Sequence, residues 1–467
     1  MIVMNFQEFE NLLAQTDIID SSYPVKGTYV WLPTGFKIKE LFFDMIKEKV
    51  EKSGYKQYQF PRIMPGRALR KVTKYIANFE DKVFWLRKRD KPLDKYLNPT
   101  GECGIYSMFN RWIRTHADLP LKVFQIGSTF RPHRHPYSLL NTDESMSLLE
   151  AHGAFASREE AREEFRRVLD LLIDVHDSLS IPYKMVVRPK WGNNPVSEEN
   201  VSFETYFPPK KVNLNVGVAY YQGQIFSKAF DIKFLTKDRK HDYTHQVTFG
   251  INERALAAMF SLHADEYGLQ ILPEFAPDQV VIIPVYKGEN DDLVREYAEK
   301  IKKDLYDIRV NVDDSEKLLP REKLPIWRKK GIPLRIGISP KDVKNNTLRV
   351  YSRDRKETET ISITGLRQKI SQYFKEIRSH IYENGEKIFK ERLKNASSCE
   401  DIARFVDENN IVRFEWCGSD GCGKQIEETS VGEILGSSLY EIPEGECINC
   451  GNKAISIAYF AKRAYSP

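Results

Sequence analysis

Apolar residues recur along the chain at two periods. Phe36, Ile38, Leu41, Phe42, Met45, Ile46 and Val50 fall near helical spacing and predict an amphipathic helix ending near Gly54. Tyr58-Gln-Phe60 runs into Pro61, an apolar segment stopped by proline, which fits a strand at a sheet edge or end. A second helix starts after Ser157, which forms a capping box with Glu160; Phe165, Val168, Leu169, Leu172, Val175 and Leu179 make its apolar stripe. Short strand-like runs at 123–126, 229–234 and 244–249, bounded by turn and charged residues, predict an antiparallel sheet.

Residues 272–277 read as a linker. Beyond it, strand patterns at 280–285, 308–312 and 333–338 alternate with helical ones at 292–305 and 324–330, the pattern of a small α/β domain. Another helix carries Ile370, Phe374, Ile377 and Ile381 on one face. The expected division is 1–275, 276–375 and 376–467, with α+β as the overall class.

Composition narrows the picture. The chain has 467 residues, too many for one ordinary core, and its 41% hydrophobic and 29% charged residues exclude disorder as the main theme. No uncharged apolar run approaches the roughly 18–20 residues of a membrane span. The N-terminus lacks a basic stretch followed by an apolar core, so a cytoplasmic location is expected. With 71 basic against 66 acidic side chains the net charge is only +5. Nucleic-acid contacts would have to come from local clusters such as Arg328-Lys-Lys330 or Arg353-Asp-Arg-Lys356, which otherwise read as solvated surface.

Cys103 and Cys399 are isolated, but Cys417-x4-Cys422 and Cys447-x2-Cys450 form two close pairs separated by twenty-four residues. Disulfides are rare in reducing compartments, and two such pairs suit tetrahedral zinc with all four positions filled, a structural site; four unligated thiols are the alternative. Gly418, Gly421, Gly423 and Gly451 supply turns for metal knuckles.

Read together, several segments resemble class II aminoacyl-tRNA synthetases, and among them the archaeal and eukaryotic-type prolyl-tRNA synthetases. The helix from Phe36 into Tyr58-Gln-Phe-Pro61 resembles the family's first motif, which implies a homodimer. Phe130-Arg131 through Glu150-Ala-His152-Gly-Ala-Phe-Ala-Ser157 resembles the second motif and its sequel, and Gly250-Ile-Asn-Glu-Arg254 through Leu269 resembles the third. Phe275-Ala-Pro-Asp-Gln-Val280 and Lys330-Gly-Ile-Pro-Leu-Arg335 match an anticodon-binding domain, and the cysteine quartet with the run Tyr459 to Tyr465 matches the C-terminal zinc domain. The implied reaction joins an amino acid, most simply proline, to tRNA through an ATP-derived adenylate.

Such chemistry brings a carboxylate against the α-phosphate of ATP, so fixed cations are needed, and arginine's planar, permanently charged fork suits them. The resemblance assigns Arg131 to the substrate carboxylate and α-phosphate and Arg254 to the phosphate end of the nucleotide. Glu144 and Glu150 join them as ATP- and Mg2+-binding candidates, hard Mg2+ preferring carboxylate and phosphate oxygen. Thr100 and Glu102, in Asn98-Pro-Thr-Gly-Glu102, correspond to contacts with the substrate amine, and Tyr220 stands on a pocket wall.

The chain departs from the family at contacts. Arg131-Pro-His133 has histidine where a glutamate normally receives the adenine amino group, with His133 or Arg134 as a replacement or as solvated loop. Leu140-Asn-Thr-Asp-Glu144 lacks the usual arginine pair, and Val216 to Gln224 and Asn193-Asn-Pro195-Val-Ser197 replace both walls of the amino-acid pocket. Leu319-Pro320-Arg321 and Gly337 differ in the anticodon domain, and Ser466 and Pro467 follow the usual terminal tyrosine. These changes leave two other readings beside a proline ligase: an enzyme for a different amino acid, and a non-catalytic tRNA-binding or regulatory relative. No editing domain separates the second and third motifs.

Overall fold

The computed structural model describes residues 4–73, 79–89, 91–192, 196–286, 288, 291–315 and 317–464. Its fold is α+β. Among these residues eleven strands make one sheet, whose order across the sheet is Leu393–Asn395, Ile411–Trp416, Ser456–Ala461, Glu433–Ser438, Lys184–Val187, Glu199–Phe207, Val212–Gly223, His245–Asn252, Glu144–Phe155, Leu121–Phe130 and Lys56–Gln57. Neighbours are antiparallel except at the two ends, where Leu393–Asn395 and Lys56–Gln57 pair in parallel.

The central strands sort their side chains by alternation. Phe124, Ala151, Phe249, Ala219 and Val201 face one side and join the main core with Phe165, Leu172 and Leu256 of the helices Arg158–Ser178 and Arg254–His263. The capping box read at Ser157 is present, with Ser157 Oγ accepting from Glu160 N at 3.1 Å. The first-motif helix spans Pro33–Lys52 and buries Ile38, Phe42, Phe43, Ile46 and Val50, while Phe36, counted in its stripe, is 45% exposed. The edge strand expected at 58–60 forms two residues earlier, at Lys56–Gln57.

The strand expected at 229–234 does not form as read. Residues Ile225–Phe230 are helical, Asp231 ends the helix in a left-handed conformation (φ 56°), and only Lys233–Leu235 is extended. Phe226 and Phe230, four apart on that helix, enter a second core beside Tyr106 and Phe109, and that burial outweighs the period-two pattern.

Beyond the 272–277 segment, where Leu272, Phe275 and Ala276 are buried, a five-stranded sheet has the order Val310–Val312, Val280–Pro284, Leu334–Ile338, Thr347–Ser352, Glu357–Ser362. Its first three strands are parallel, flanked by the helices Asp291–Asp304 and Pro320–Lys329. The helix read at 370–381 runs from Leu366 to Arg392, with Gly385 and Phe389 continuing its buried face past Pro182.

The cysteine region is not a separate appendage. Its strands continue the large sheet, Ser437 and Ser438 pairing with Val187 and Val186. Among the described residues no helix is long and apolar enough to cross a membrane.

Candidate active site and cysteine centre

The face of the large sheet opposite the main core carries two cross-strand rows. Gln125, Glu150, Gly250, Val218 and Ser202 stand in one, and Val123, His152, Thr248, Tyr220 and Asn200 in the next. Polar residues at alternate positions of buried strands imply a lined pocket, since buried polar groups cost free energy unless partnered. Tyr220 is on this face; the loop residues 193–195, read as the other pocket wall, lie outside the described residues.

Over the rows sits the loop 98–101, leading into the helix Glu102–Trp112. Thr100 Oγ1 donates to Glu102 Oε2. Glu150 lies beneath: its Oε2 accepts from Gly101 N at 2.7 Å and its Oε1 from Gln125 Nε2 at 2.7 Å. A Cβ on Gly101 would stand 2.5 Å from Glu150 Oε1, so only glycine allows this approach. Burial pushes the Glu150 carboxyl up, but His152, Gly101 N and Gln125 favour the anion and together hold it below the usual carboxylate range. Both carboxylate oxygens of Glu150 are thus engaged, beside Thr100 and Glu102.

Arg131 closes the other side of the same loop, its Nε donating to Pro99 O at 2.7 Å. Arg254 Nε donates to Leu140 O at 2.6 Å, so the second-motif loop is tied back to the third motif. His133 is half-buried, with its backbone N–H on Asp143 Oδ1 at 2.8 Å. Burial lowers the His133 pKa, and the Arg131 and Arg254 charges add to the effect. The loop packs against the N-terminal helix: Tyr137 meets Phe6 edge-on at 5.5 Å, and Lys210 Nζ sits 2.8 Å above the Tyr137 ring.

Glu144 and the fully buried Glu253 both act electrostatically on the Tyr29 hydroxyl. Glu253 Oε2 accepts from Ser145 at 2.9 Å, and burial pushes its carboxyl up to about 7. Sequence reading missed Glu253, Gln125, His152 and Tyr106. The signal for Gln125 and His152 was a polar residue at every second place in otherwise apolar strands, and for Tyr106 its place one turn beyond Glu102; Glu253, which caps the helix Arg254–His263, left none.

Cys417, Cys422, Cys447 and Cys450 place their sulfur atoms within 4.8 Å of one another, and Cys450 and Cys417 Sγ are 3.8 Å apart. Zn–S bonds of about 2.3 Å require tetrahedral edges of about 3.8 Å, so four thiolates here could hold a zinc ion. Gly418 and Gly451 adopt positive φ (74° and 70°), as knuckle turns require. Gly421 and Gly423 instead lie in the helix Asp420–Glu427, where Gly423 leaves room for the Trp191 ring.

The basic cluster 353–356 differs from its surface reading. Arg353 is 1% exposed and grips Asp265 through Nη1 and Nη2 at 2.9 and 2.6 Å, while Lys356 pairs with Asp265 and Glu266. Arg335 donates to Leu324 O at 2.5 Å and stacks 3.9 Å over Tyr351; burial lowers its pKa to about 10.

An antiparallel sheet with arginines from two successive motifs beside it, followed by an α/β module built on a mixed sheet, defines a class II aminoacyl-tRNA synthetase, a ligase. Residues 84–263 match the tRNA synthetase class II core domain (G, H, P, S and T), 279–373 the anticodon binding domain, and 399–465 the prolyl-tRNA synthetase C-terminal family. The chain is 37% identical to the proline–tRNA ligase of Pyrococcus abyssi over 98% of both chains. It is 36% identical to that of Methanopyrus kandleri, covering 98% of this chain and 96% of the relative, and 36% identical to that of Pyrococcus horikoshii over 97% of each. The chain belongs to the proline–tRNA ligase family. Its synthetase and anticodon-binding domains imply an amino acid, ATP and tRNA as partners.

Proposed function

We propose that this chain activates proline with ATP and transfers it to tRNA, working as a cytoplasmic homodimer whose catalytic, anticodon-binding and zinc-binding parts are 1–275, 276–375 and 376–467. The observation that carries the reading is the convergence of Thr100, Glu102 and Arg131 on one loop supported from below by Glu150. Thr100 and Glu102 receive the substrate ammonium, whose charge a carboxylate complements. Arg131, one loop residue away, orients the substrate carboxylate toward the α-phosphate, and Arg254 takes charge at the far end of the nucleotide. Neither arginine needs to change protonation state, so each stabilises the oxyanions of the transition state as a fixed charge. Tyr220 forms part of the wall around the proline ring.

Mg2+ supplies charge neutralisation on the phosphates when bound. Glu150 spends its oxygens on Gly101 and Gln125, so among the expected carboxylates Glu144 is the one left to face the metal. Cys417, Cys422, Cys447 and Cys450 would supply four thiolates to a zinc ion, which would then serve structure. His133, whose pKa is lowered by burial and by the Arg131 and Arg254 charges, would take the acceptor role toward the adenine amino group that the family gives to a glutamate at this position.

The test is ATP–pyrophosphate exchange by the purified protein with each standard amino acid separately, followed by tRNA charging. Exchange with proline alone is the expected result. Exchange with another amino acid would move the substrate assignment, and silence with every amino acid, tRNA binding being retained, would leave a non-catalytic relative.

A further inference from the structure

Arg62 directly follows Pro61 of the first motif, is half-buried and has no part in the roles assigned above. Its backbone is pinned beside the loop 98–101, since Asn98 N donates to Arg62 O at 2.9 Å and the next residue, Ile63, pairs with Leu97. Its side chain reaches over the polar face of the large sheet. A Cβ on Gly127, two residues along the strand from Gln125, would collide with Arg62 Nη2 and stand 2.5 Å from Cζ, so the guanidinium lies directly on that glycine. Arginines in such places are usually held by a carboxylate. Among the described residues Arg62 forms no ion pair; its Nη1 donates instead to Gln125 Oε1 at 3.2 Å.

That bond decides which way the Gln125 amide faces. Gln125 is 1% exposed, and its side chain offers an oxygen at one end and two N–H groups at the other. Oε1 accepts from Arg62 Nη1 and from Phe60 N, the latter at 3.3 Å, while Nε2 donates to Glu150 Oε1 at 2.7 Å. Turned over, the amide would set N–H groups against two donors and its oxygen against a carboxylate, both repulsive in a dry interior. Of the two donors on Oε1 the guanidinium is charged and makes the stronger bond. Glu150 in turn accepts from Gly101 N through its other oxygen at 2.7 Å, and Thr100 Oγ1 stands 3.5 Å from that oxygen. One line of hydrogen bonds therefore runs from Arg62 to the loop between Thr100 and Glu102.

We propose that Arg62 is a positioning residue for the amino acid: it fixes the Gln125 amide, Gln125 holds Glu150 beneath Gly101, and the loop carrying Thr100 and Glu102 is thereby set for the substrate ammonium. The inference rests on the reading of Thr100 and Glu102 as amine contacts. Gly127 belongs to the same device, because any side chain there displaces the guanidinium. The consequence is specific to the amino acid. Arg254, anchored on Leu140 O, lies off this line, so ATP is little affected.

The experiment combines kinetics with a reading of the loop that needs no turnover. Arg62→Met keeps an unbranched stem and removes every donor; its proline KM in pyrophosphate exchange should rise about tenfold, with the ATP KM within about twofold of wild type. Arg62→Lys, which restores a charged donor, should recover most of that loss. Gly127→Ala should reproduce the Arg62→Met effect by itself and add nothing to it in the double variant, where no guanidinium remains to be displaced. In the unliganded protein, amide hydrogen exchange over 98–104, where the Gly101 N–H rests on Glu150, should quicken in Arg62→Met and in Gly127→Ala while 245–252 keeps its protection. Equal changes in both KM values, additive effects of the two substitutions, or unchanged protection of 98–104 would overturn the proposal. If the wild type turns over with no amino acid, the functional reading fails instead, and the protection of 98–104 still decides whether Arg62 holds the loop.

Discussion

Glu253 shows what one residue can reveal about the site. It immediately precedes Arg254, is buried, and has one oxygen without a partner. Burial pushes its carboxyl up to about 7, and burial also lowers the pKa of Lys39, which faces it, so each neutral form is favoured. In the unfolded chain the group titrates near 4.5, so between about 4.5 and 7 the folded state holds the proton and the unfolded state does not. Stability therefore falls as pH rises through that window, by about 1.4 kcal/mol per unit at most. Glu253→Gln, which cannot ionise, should melt like wild type at pH 5 and at a higher temperature at pH 8. Equal melting shifts at both pH values would refute the burial argument. Nothing in Gly250-Ile-Asn-Glu-Arg254 announces a buried acid, because burial comes from Tyr29 and Ser145, residues more than a hundred positions away. Thr100, Glu102, Arg131 and Arg254 were visible through family likeness; the hydrogen bonds under them were not, since Gln125 and His152 reach the site only through strand pairing.

Elements declared themselves where one surface decides their burial. The Ser157 cap and the stripe from Phe165 to Leu179 define a helix lying on a single core, and the alternation within 244–249 defines a central strand. The segment 229–234 misled because its residues divide between a short helix and a strand, each answering to a different neighbour. Pairing between distant elements leaves no local trace, and the fastening of the anticodon-binding helix Pro320–Lys329 is an instance. Leu269 N donates to Lys329 O at 2.9 Å and Ile271 N to Gly331 O at 3.0 Å, while Arg353 bridges Arg328 O and Asp265 just beyond the helix Arg254–His263. A buried charge left without its partner costs about 3–5 kcal/mol, so Arg353→Ala should loosen this junction. Pyrophosphate exchange, which needs no tRNA, should fall at most a few-fold, whereas kcat/KM for tRNA charging should fall tenfold or more. Equal losses in the two assays would mean that Arg353 supports the catalytic body alone.

At the scale of the whole molecule, the three parts visible in the sequence are less separate than the linker and the cysteine spacing suggest. The strands Glu433–Ser438, Ser456–Ala461, Ile411–Trp416 and Leu393–Asn395 extend the catalytic sheet through the pairing of Ser437 with Val187. Further ties reinforce the seam. Trp191 donates to Glu427 at 2.9 Å and stands edge-on to Trp416, which immediately precedes Cys417, and Arg463 reaches back to Glu204 at 3.2 Å. The cysteine centre joins the loops at one end of the added strands, so a zinc ion held there would stabilise a sheet shared with the candidate active site. A zinc domain on a flexible tether could be emptied without consequence for chemistry at the far strands; here the strand pairing predicts a consequence. Removing zinc with a strong chelator, or Cys447→Ser, should lower the first melting transition by several degrees and reduce proline-dependent pyrophosphate exchange several-fold, with readdition of zinc restoring both in the chelated protein. The strand Lys184–Val187 transmits the effect, because once its partner Glu433–Ser438 loosens it becomes an exposed edge two strands from Tyr220. Hydrogen exchange should accordingly quicken at 184–187 before it quickens at 245–252. Unchanged exchange kinetics and protection in the zinc-free protein would mean that the shared sheet holds without its clamp.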